Sequence, residues 1–153
     1  MTRADIVARV KPPVIGMILL VAGTALHFLF PDTRVIGPSY VVVGIGASVG
    51  GVALMLWALR QFDKKGTTHS TQEKASALVI AGPLAFSRNP MYLGLTLFFL
   101  GLALAVGTVP MFAVPIGFWA TMNWVFVPHE EKTLEHLLGA EYLDYKRRVR
   151  RWV

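Results

Sequence analysis

The chain of 153 residues carries 15 Lys and Arg against 9 Asp and Glu, a formal charge of +6, no cysteine, and 54% apolar residues with 14 glycines besides. Soluble domains average roughly 45–50% apolar with glycine included, so this composition argues against a water-soluble globular domain and equally against a disordered chain. Without cysteine there is no disulfide, thiolate metal site or cysteine nucleophile to consider.

In chain order, uncharged apolar runs extend over 14–30, 39–59, 91–108 and 109–127. Each approaches or reaches the roughly 17–25 residues of a membrane-crossing helix. The first follows Arg3, Arg9 and Lys11, as the core of a signal peptide would. It has no small-x-small cleavage site before Pro31, and three further runs follow, so it reads as a retained anchor. Basic residues set the orientation, because each costs about 2.5–3.5 kcal/mol at the bilayer centre and they gather on the cytoplasmic side. Three precede the first run, five lie in 60–89 (Arg60, Lys64, Lys65, Lys74, Arg88) and six follow Pro128. Arg34 alone lies in 31–38, and the Val109–Pro110 turn has none. The expected fold is an all-α integral membrane protein of four transmembrane helices with both termini cytoplasmic. Its positive charge then meets the lipid bilayer, not nucleic acid.

Gly46-xxx-Gly50, inside a stretch of small residues from Gly44 to Gly51, predicts a close-packing face toward another helix of this chain or toward a second copy in a homodimer. Its spacing is not that of a nucleotide-binding fingerprint. Val109–Pro110 leaves almost no loop, so the last two runs must form an antiparallel helical hairpin, with Pro115 inside its second member. His27 and Asn123 are polar at membrane depth and are expected to hydrogen-bond between helices, Asn123 being the better site candidate because it lies nearer the cytoplasmic end. His27, His69, His129 and His136 share no ligand spacing, and no metal is expected. The segment 66–81, with its Thr, Ser and Gly content, is a candidate lid.

The hairpin brings the start of the third helix and the end of the fourth to one side of the bilayer. Gly82-Pro83-Leu84-Ala85-Phe86-Ser87-Arg88-Asn89-Pro90-Met91-Tyr92 leads into the third, with Asn89 as N-cap and Pro90 as first helical residue. Pro128-His129-Glu130-Glu131 closes the fourth. An arginine, a helix N-terminus and two carboxylates therefore converge near the cytoplasmic interface. Anchoring alone accounts for them too, with Arg88 as a positive-inside residue, Tyr92 as an interfacial aromatic and the glutamates as a solvated helix start. The C-terminal stretch points further. Leu134, Leu137, Leu138, Tyr142, Tyr145, Val149 and Trp152 form an apolar stripe on a charged helix broken at Gly139. Folded over the hairpin, this amphipathic segment would roof a polar pocket with Tyr142 and Tyr145.

Gly82-Pro83, Arg88-Asn89-Pro90-Met91-Tyr92-Leu93-Gly94, Glu130-Glu131-x-x-Leu134, Gly139-x-Glu141-Tyr142-x-x-Tyr145 and the closing Arg147-Arg148-Val149-Arg150-Arg151-Trp152 together resemble the isoprenylcysteine carboxyl methyltransferase family. The likeness is to its small bacterial members, related to the phospholipid methyltransferases, and covers roughly 66–153. It implies a membrane enzyme, in a bacterial inner membrane, that binds S-adenosylmethionine at the cytoplasmic ends of the last two spans and methylates a lipophilic small-molecule or lipid-linked acceptor. The implied organisation is a single membrane domain over 1–153: a two-helix anchor (1–59), a cytoplasmic loop (60–90), and a hairpin with C-terminal helices (91–153) as the methyltransferase core.

That cofactor offers a carboxylate, an ammonium, a sulfonium and a flat adenine. Arg88 suits the carboxylate. Glu130 or Glu131 suits the ammonium, and only one of the two should face the ligand because adjacent helical positions differ by about 100°. Tyr92, Tyr142 and Tyr145 offer aromatic walls that favour a sulfonium, and Asn89 and His129 stand at the rim. Arg88, Glu130 and Glu131 are thus the expected catalytic set. A base is needed only for a protonated acceptor, and the second glutamate or His129 would supply it. Asn89 stands where the eukaryotic members typically have histidine, Leu138 where they have phenylalanine, and their extra N-terminal spans have no counterpart, so methylation of prenylated protein C-termini does not carry over. Two other readings share these features: a nicotinamide-dependent membrane reductase, since sterol reductases are similar in their last helices, and a non-enzymatic four-helix membrane protein.

Overall fold

Backbone groups in hydrocarbon must satisfy one another, which confines a spanning chain of this composition to helices. The computed structural model describes residues 10–30, 32–65 and 78–153. Its apolar helices are α1 (Pro12–Leu29), α2 (Val41–Lys65, entered through a 3-10 turn at Pro38–Tyr40), α3 (Pro90–Val106) and α4 (Val109–Thr121). Proline stands in the first turn of α1, α3 and α4, where its missing N–H costs no intrahelical bond. Pro12–Leu29, Pro38–Lys64 and the helical stretch Val109–Leu138 are long and apolar enough to cross a membrane, and α3 is apolar but shorter at 17 residues.

The hairpin is formed by α3 and α4, joined through Gly107 at φ +76° and Thr108. The first two helices pack against different members of the hairpin, α2 along α3 and α1 along α4. The reason lies in the connection between α1 and α2, which is stitched to the hairpin turn. Val35 N–H and Ile36 N–H donate to Gly107 O, Val109 N–H donates to Thr33 O, and Arg34 bridges Thr108. His27 Nδ1 lies 3.2 Å from Thr108 Oγ1, the interhelical contact expected of it. Arg34 thereby sits at the same end as the hairpin turn, opposite Arg88.

Small residues set the α2–α3 contact, but not the expected pair. Gly46 and Gly50 face open space, whereas a Cβ on Gly44 would come within 2.5 Å of Gly101 O and one on Gly51 within 2.5 Å of Gly94 O. Ser48 lies between them and donates to Phe98 O at 3.1 Å. Positions 44, 48 and 51 recur at the i, i+4, i+7 spacing of one helix face, and Gly46 and Gly50 fall on the other side. The apolar residues Val42, Ile45 and Val49 on α2, and Val14, Met17, Ile18 and Val21 on α1, are exposed. So much contiguous apolar surface fits a lipid-facing wall and not an aqueous one.

The fourth span does not end at Val127. Pro128 has no N–H, and its ring crowds the carbonyl four residues earlier. The chain accommodates it by widening one turn: Met122–Phe126 is π-helical, and α5 (Val127–Leu138) continues from it. From Val109 to Glu131 the axis rises about 33 Å at 1.5 Å per residue, close to the roughly 30 Å hydrocarbon thickness. Gly139, at φ +55°, then turns the chain into α6 (Ala140–Arg148). The apolar stripe does not stay helical to Trp152, because Val149 is extended and the last residues run back toward α3.

Overpacking a close helix contact costs typically about 1–3 kcal/mol. Gly44→Val and Gly51→Val are therefore expected to lower the melting temperature in detergent by several degrees, while Gly46→Val and Gly50→Val leave it within a degree or two. Equal losses at all four positions would overturn this assignment of the packed face.

Candidate active site

The approach to α3 is folded tightly before it reaches the hairpin. Gly82, at φ +60°, opens a 3-10 turn over Gly82–Ala85 beside Trp57 and Gln61 of α2, and Pro83, Leu84 and Ser87 are buried. Arg88 follows at once and is carried inward with them. Asn89 occupies the N-cap position of α3, but its side chain makes no cap bond, a departure from the sequence expectation. Its amide instead donates to Arg151 O at 3.0 Å.

From the other side α5 presents two carboxylates about 100° apart. Glu131 turns into the protein. Arg88 Nη1 lies 2.8 Å from Glu131 Oε1, with the two side chains 10% and 6% exposed. Arg151 makes a two-pronged contact with the same carboxylate, Nε to Oε1 at 3.0 Å and Nη2 to Oε2 at 2.8 Å. Lys146 adds an ion contact 3.5 Å from Oε2 and pairs with Glu135. Glu130 points elsewhere and accepts the Tyr92 hydroxyl at 2.5 Å. One carboxylate is thus surrounded by three cations, while its neighbour holds a phenol.

The Arg88–Glu131 contact joins opposite charges without alignment, since the Nη1 N–H groups do not aim at Oε1. Arg88 Nε is also buried with no acceptor among the described residues. A buried guanidinium normally has its donors matched. An Nε left unpartnered on a buried cation suits an anionic, planar ligand group such as a carboxylate.

The C-terminal helices fold back over the approach to α3. Tyr142 and Tyr145 are buried with Val149 in a cluster that also touches Leu78, Leu134 and Leu138. Tyr145 donates to Leu84 O at 2.7 Å, tying α6 to the turn before α3. Burial, reinforced by the Glu131 carboxylate and opposed by Arg88, pushes the Tyr142 phenol up to about 12. Burial also raises Tyr145 above its ordinary value. Both are neutral hydroxyls at physiological pH and cannot act as phenolate bases. His129, two residues before Glu131 and so about 200° around the helix, is exposed and does not join this group. The lid segment falls mostly at 66–77, outside the described residues.

The segment Val149–Val153 supplies groups that sequence reasoning missed. Arg88 N–H donates to Arg150 O at 3.0 Å, and Ser87 Oγ reaches Arg151 O at 3.4 Å. Trp152 Nε1 donates to Asn123 Oδ1 at 3.0 Å, with its ring 6.0 Å from that of Trp119. Asn123 sits on the π turn, so the widened helix and the returning segment are locked together there. The sequence signal was the closing Arg147-Arg148-Val149-Arg150-Arg151-Trp152 motif, which carried the family resemblance without a role for Arg151.

Removing one member of a buried ion cluster leaves uncompensated charge, at a cost of about 3–5 kcal/mol. An exposed pair contributes about 0–1 kcal/mol. Glu131→Gln is therefore expected to lower detergent stability severely, and Glu135→Gln, whose pair with Lys146 is about one-third exposed on each side, to change it little. Comparable melting temperatures for the two variants would contradict the central role given to Glu131.

Comparison with known proteins places this geometry in context. The family pattern described as phospholipid methyltransferase matches residues 39–141. Among solved structures, the eukaryotic intramembrane Ras methyltransferase, an isoprenylcysteine carboxyl methyltransferase, superposes with a TM-score of 0.65 at 22% identity over 90% of this chain and 50% of that one. This chain therefore spans about half the length of that enzyme, and the likeness is one of fold. A search of curated proteins finds no sequence match. The matched segment takes in α2, the hairpin, Arg88 and both glutamates, and on that ground the chain belongs to the phospholipid methyltransferase family.

Proposed function

We propose that the protein is an integral membrane methyltransferase that uses S-adenosylmethionine and acts on a lipophilic acceptor, small-molecule or lipid-linked. The observation that carries this reading is Arg88: a buried guanidinium whose Nε has no partner among the described residues, at the mouth of the hairpin of a methyltransferase family. In this proposal α3 is the remaining transmembrane helix, completing four. The whole of 1–153 forms one membrane domain whose core is 91–153, and both termini lie in the cytoplasm below a bacterial inner membrane.

The donor set fits the methyl donor. Arg88 would hold its carboxylate, and Glu130, which among the described residues carries a tyrosine hydroxyl and not a cation, would face its ammonium. Tyr92 and Tyr142 would offer aromatic surface to the sulfonium, with Asn89 and Tyr145 fixing the walls around it and His129 left toward the rim. Bound there, the donor supplies a methyl carbon whose bond to sulfur breaks, its electron pair leaving on sulfur, as an acceptor lone pair forms the new bond. The rest is positioning and exclusion of water by these residues. For an acceptor that brings a proton, the Glu130 carboxylate is the base beside the reacting groups. An acceptor reaching the hairpin sideways from the bilayer meets apolar helix faces throughout. Such access accounts for a small-molecule enzyme being built in a membrane.

Three experiments test this. Purified protein is expected to bind S-adenosylhomocysteine in the micromolar range, with Arg88→Ala weakening binding at least tenfold, and radiolabelled methyl groups are expected in the lipid-soluble fraction of membranes carrying the protein. No binding by folded, detergent-stable protein would overturn the proposal. Because the chain has no cysteine, Asp32→Cys and Asp63→Cys report topology directly. A membrane-impermeant maleimide should label position 32 in intact cells and position 63 only after lysis, and the reverse pattern would overturn the orientation.

A further inference from the structure

We infer that Arg151 is a positioning residue of the donor site: by occupying both oxygens of Glu131, it keeps the Arg88 guanidinium from closing on that carboxylate and so leaves the Nε edge of Arg88 open for the ligand. The inference rests on the donor-site reading above and adds to it a residue outside the segment matched to the family, which stops at 141.

A carboxylate has about four lone-pair sites. Arg151 takes one on each oxygen with well-formed bonds of 3.0 and 2.8 Å, and Lys146 stands 3.5 Å from Oε2. Arginine facing a lone carboxylate prefers the two-pronged arrangement. Arg88 is denied it: its Nη1 lies 2.8 Å from Glu131 Oε1 but out of hydrogen-bonding alignment, with Nε left unpartnered among the described residues. Arg151 is no wandering surface side chain, because its own carbonyl is held by Asn89 Nδ2 and Ser87 Oγ and the next residue is held by Asn123. The loop that carries Arg88 therefore also fixes the backbone of the residue that competes with it. Without Arg151, the vacated sites on Glu131 would draw Arg88 into a closed pair and withdraw its free edge.

The test is S-adenosylhomocysteine affinity in detergent for wild type, Arg151→Met and Arg151→Lys, each also in a Glu131→Gln background, alongside melting temperatures. Arg151→Met is expected to weaken binding about tenfold. Arg151→Lys keeps the charge but reaches Glu131 at a single point, and should recover part of the loss, ending about threefold weaker than wild type. In the Glu131→Gln background neither change should alter affinity further, since the carboxylate they compete for is gone. A merely structural arginine would lower the melting temperature in both backgrounds and show no such coupling. Affinity within twofold of wild type for Arg151→Met, or an equal loss in both backgrounds, overturns the inference. Should Glu131→Gln, itself expected to be severely destabilised, or Arg151→Met not fold, Arg151→Lys in the wild-type background decides the matter alone, with unchanged affinity counting against. Absence of binding by wild type overturns the donor-site reading itself, whereas binding lost in Arg88→Ala but unmoved at Arg151 overturns this inference only.

Discussion

A carboxylate buried where two membrane helices emerge is costly unless it is matched, and Glu131 is matched by cations drawn from three parts of the chain. Arg88 comes from the approach to α3, Lys146 from α6, and Arg151 from the segment that follows it. Each arrives by a different route, so the one acidic group defines where the hairpin mouth, the amphipathic roof and the returning segment meet. Packing closes the junction around these charges: Ser87, Leu84, Tyr142 and Tyr145 beside them are all buried. The charge cluster and the tight turn at Gly82–Ala85 are therefore parts of one construction.

Within the bilayer the constraint is different. Lipid is as apolar as the side chains, so helices gain little by hiding leucine and gain instead from close backbone approach. The contact of α2 with α3 through Gly44, Ser48, Gly51, Gly94 and Gly101 is of this kind. On the α1 side the packing is larger in grain, with Phe99 and Phe118 edge to face at 5.2 Å beside Gly16. Both arrangements hold the hairpin rigid below the charged cluster. A rigid hairpin matters because effects of positioning fall away with displacements of about 1 Å.

Much of this was legible in the residues, and the parts that were not have physical causes. Apolar runs marked the helices and their starts to within a few residues, since insertion energetics act on composition, but the second helix runs on to Lys65 and the fourth to Leu138. The break at Gly139 and the burial of Tyr142 and Tyr145 followed from helical periodicity. The apolar run ends at Val127, and nothing local announces that a π turn will absorb Pro128 and carry the helix on to Leu138. Gly46-xxx-Gly50 was preferred to Gly44 and Gly51 because spacing alone does not tell which of two small faces meets a partner. Two adjacent glutamates are equivalent in sequence, and only the helix phase set by the preceding π turn turns Glu131 inward and Glu130 toward Tyr92. Arg151 was hidden for another reason: its role depends on an extended segment doubling back across more than sixty residues of sequence, which no periodicity encodes.

The central claim is that Glu131 anchors a fixed Arg88 whose open edge receives the carboxylate of the methyl donor. An experimental structure of the protein in lipid nanodiscs with S-adenosylhomocysteine bound tests it most directly. The account predicts the ligand carboxylate within hydrogen-bonding distance of Arg88 Nε, with the contact of Arg88 to Glu131 retained and Arg151 still two-pronged on that carboxylate. A ligand seated away from Arg88, or bound only after Arg88 and Glu131 have separated, would contradict it.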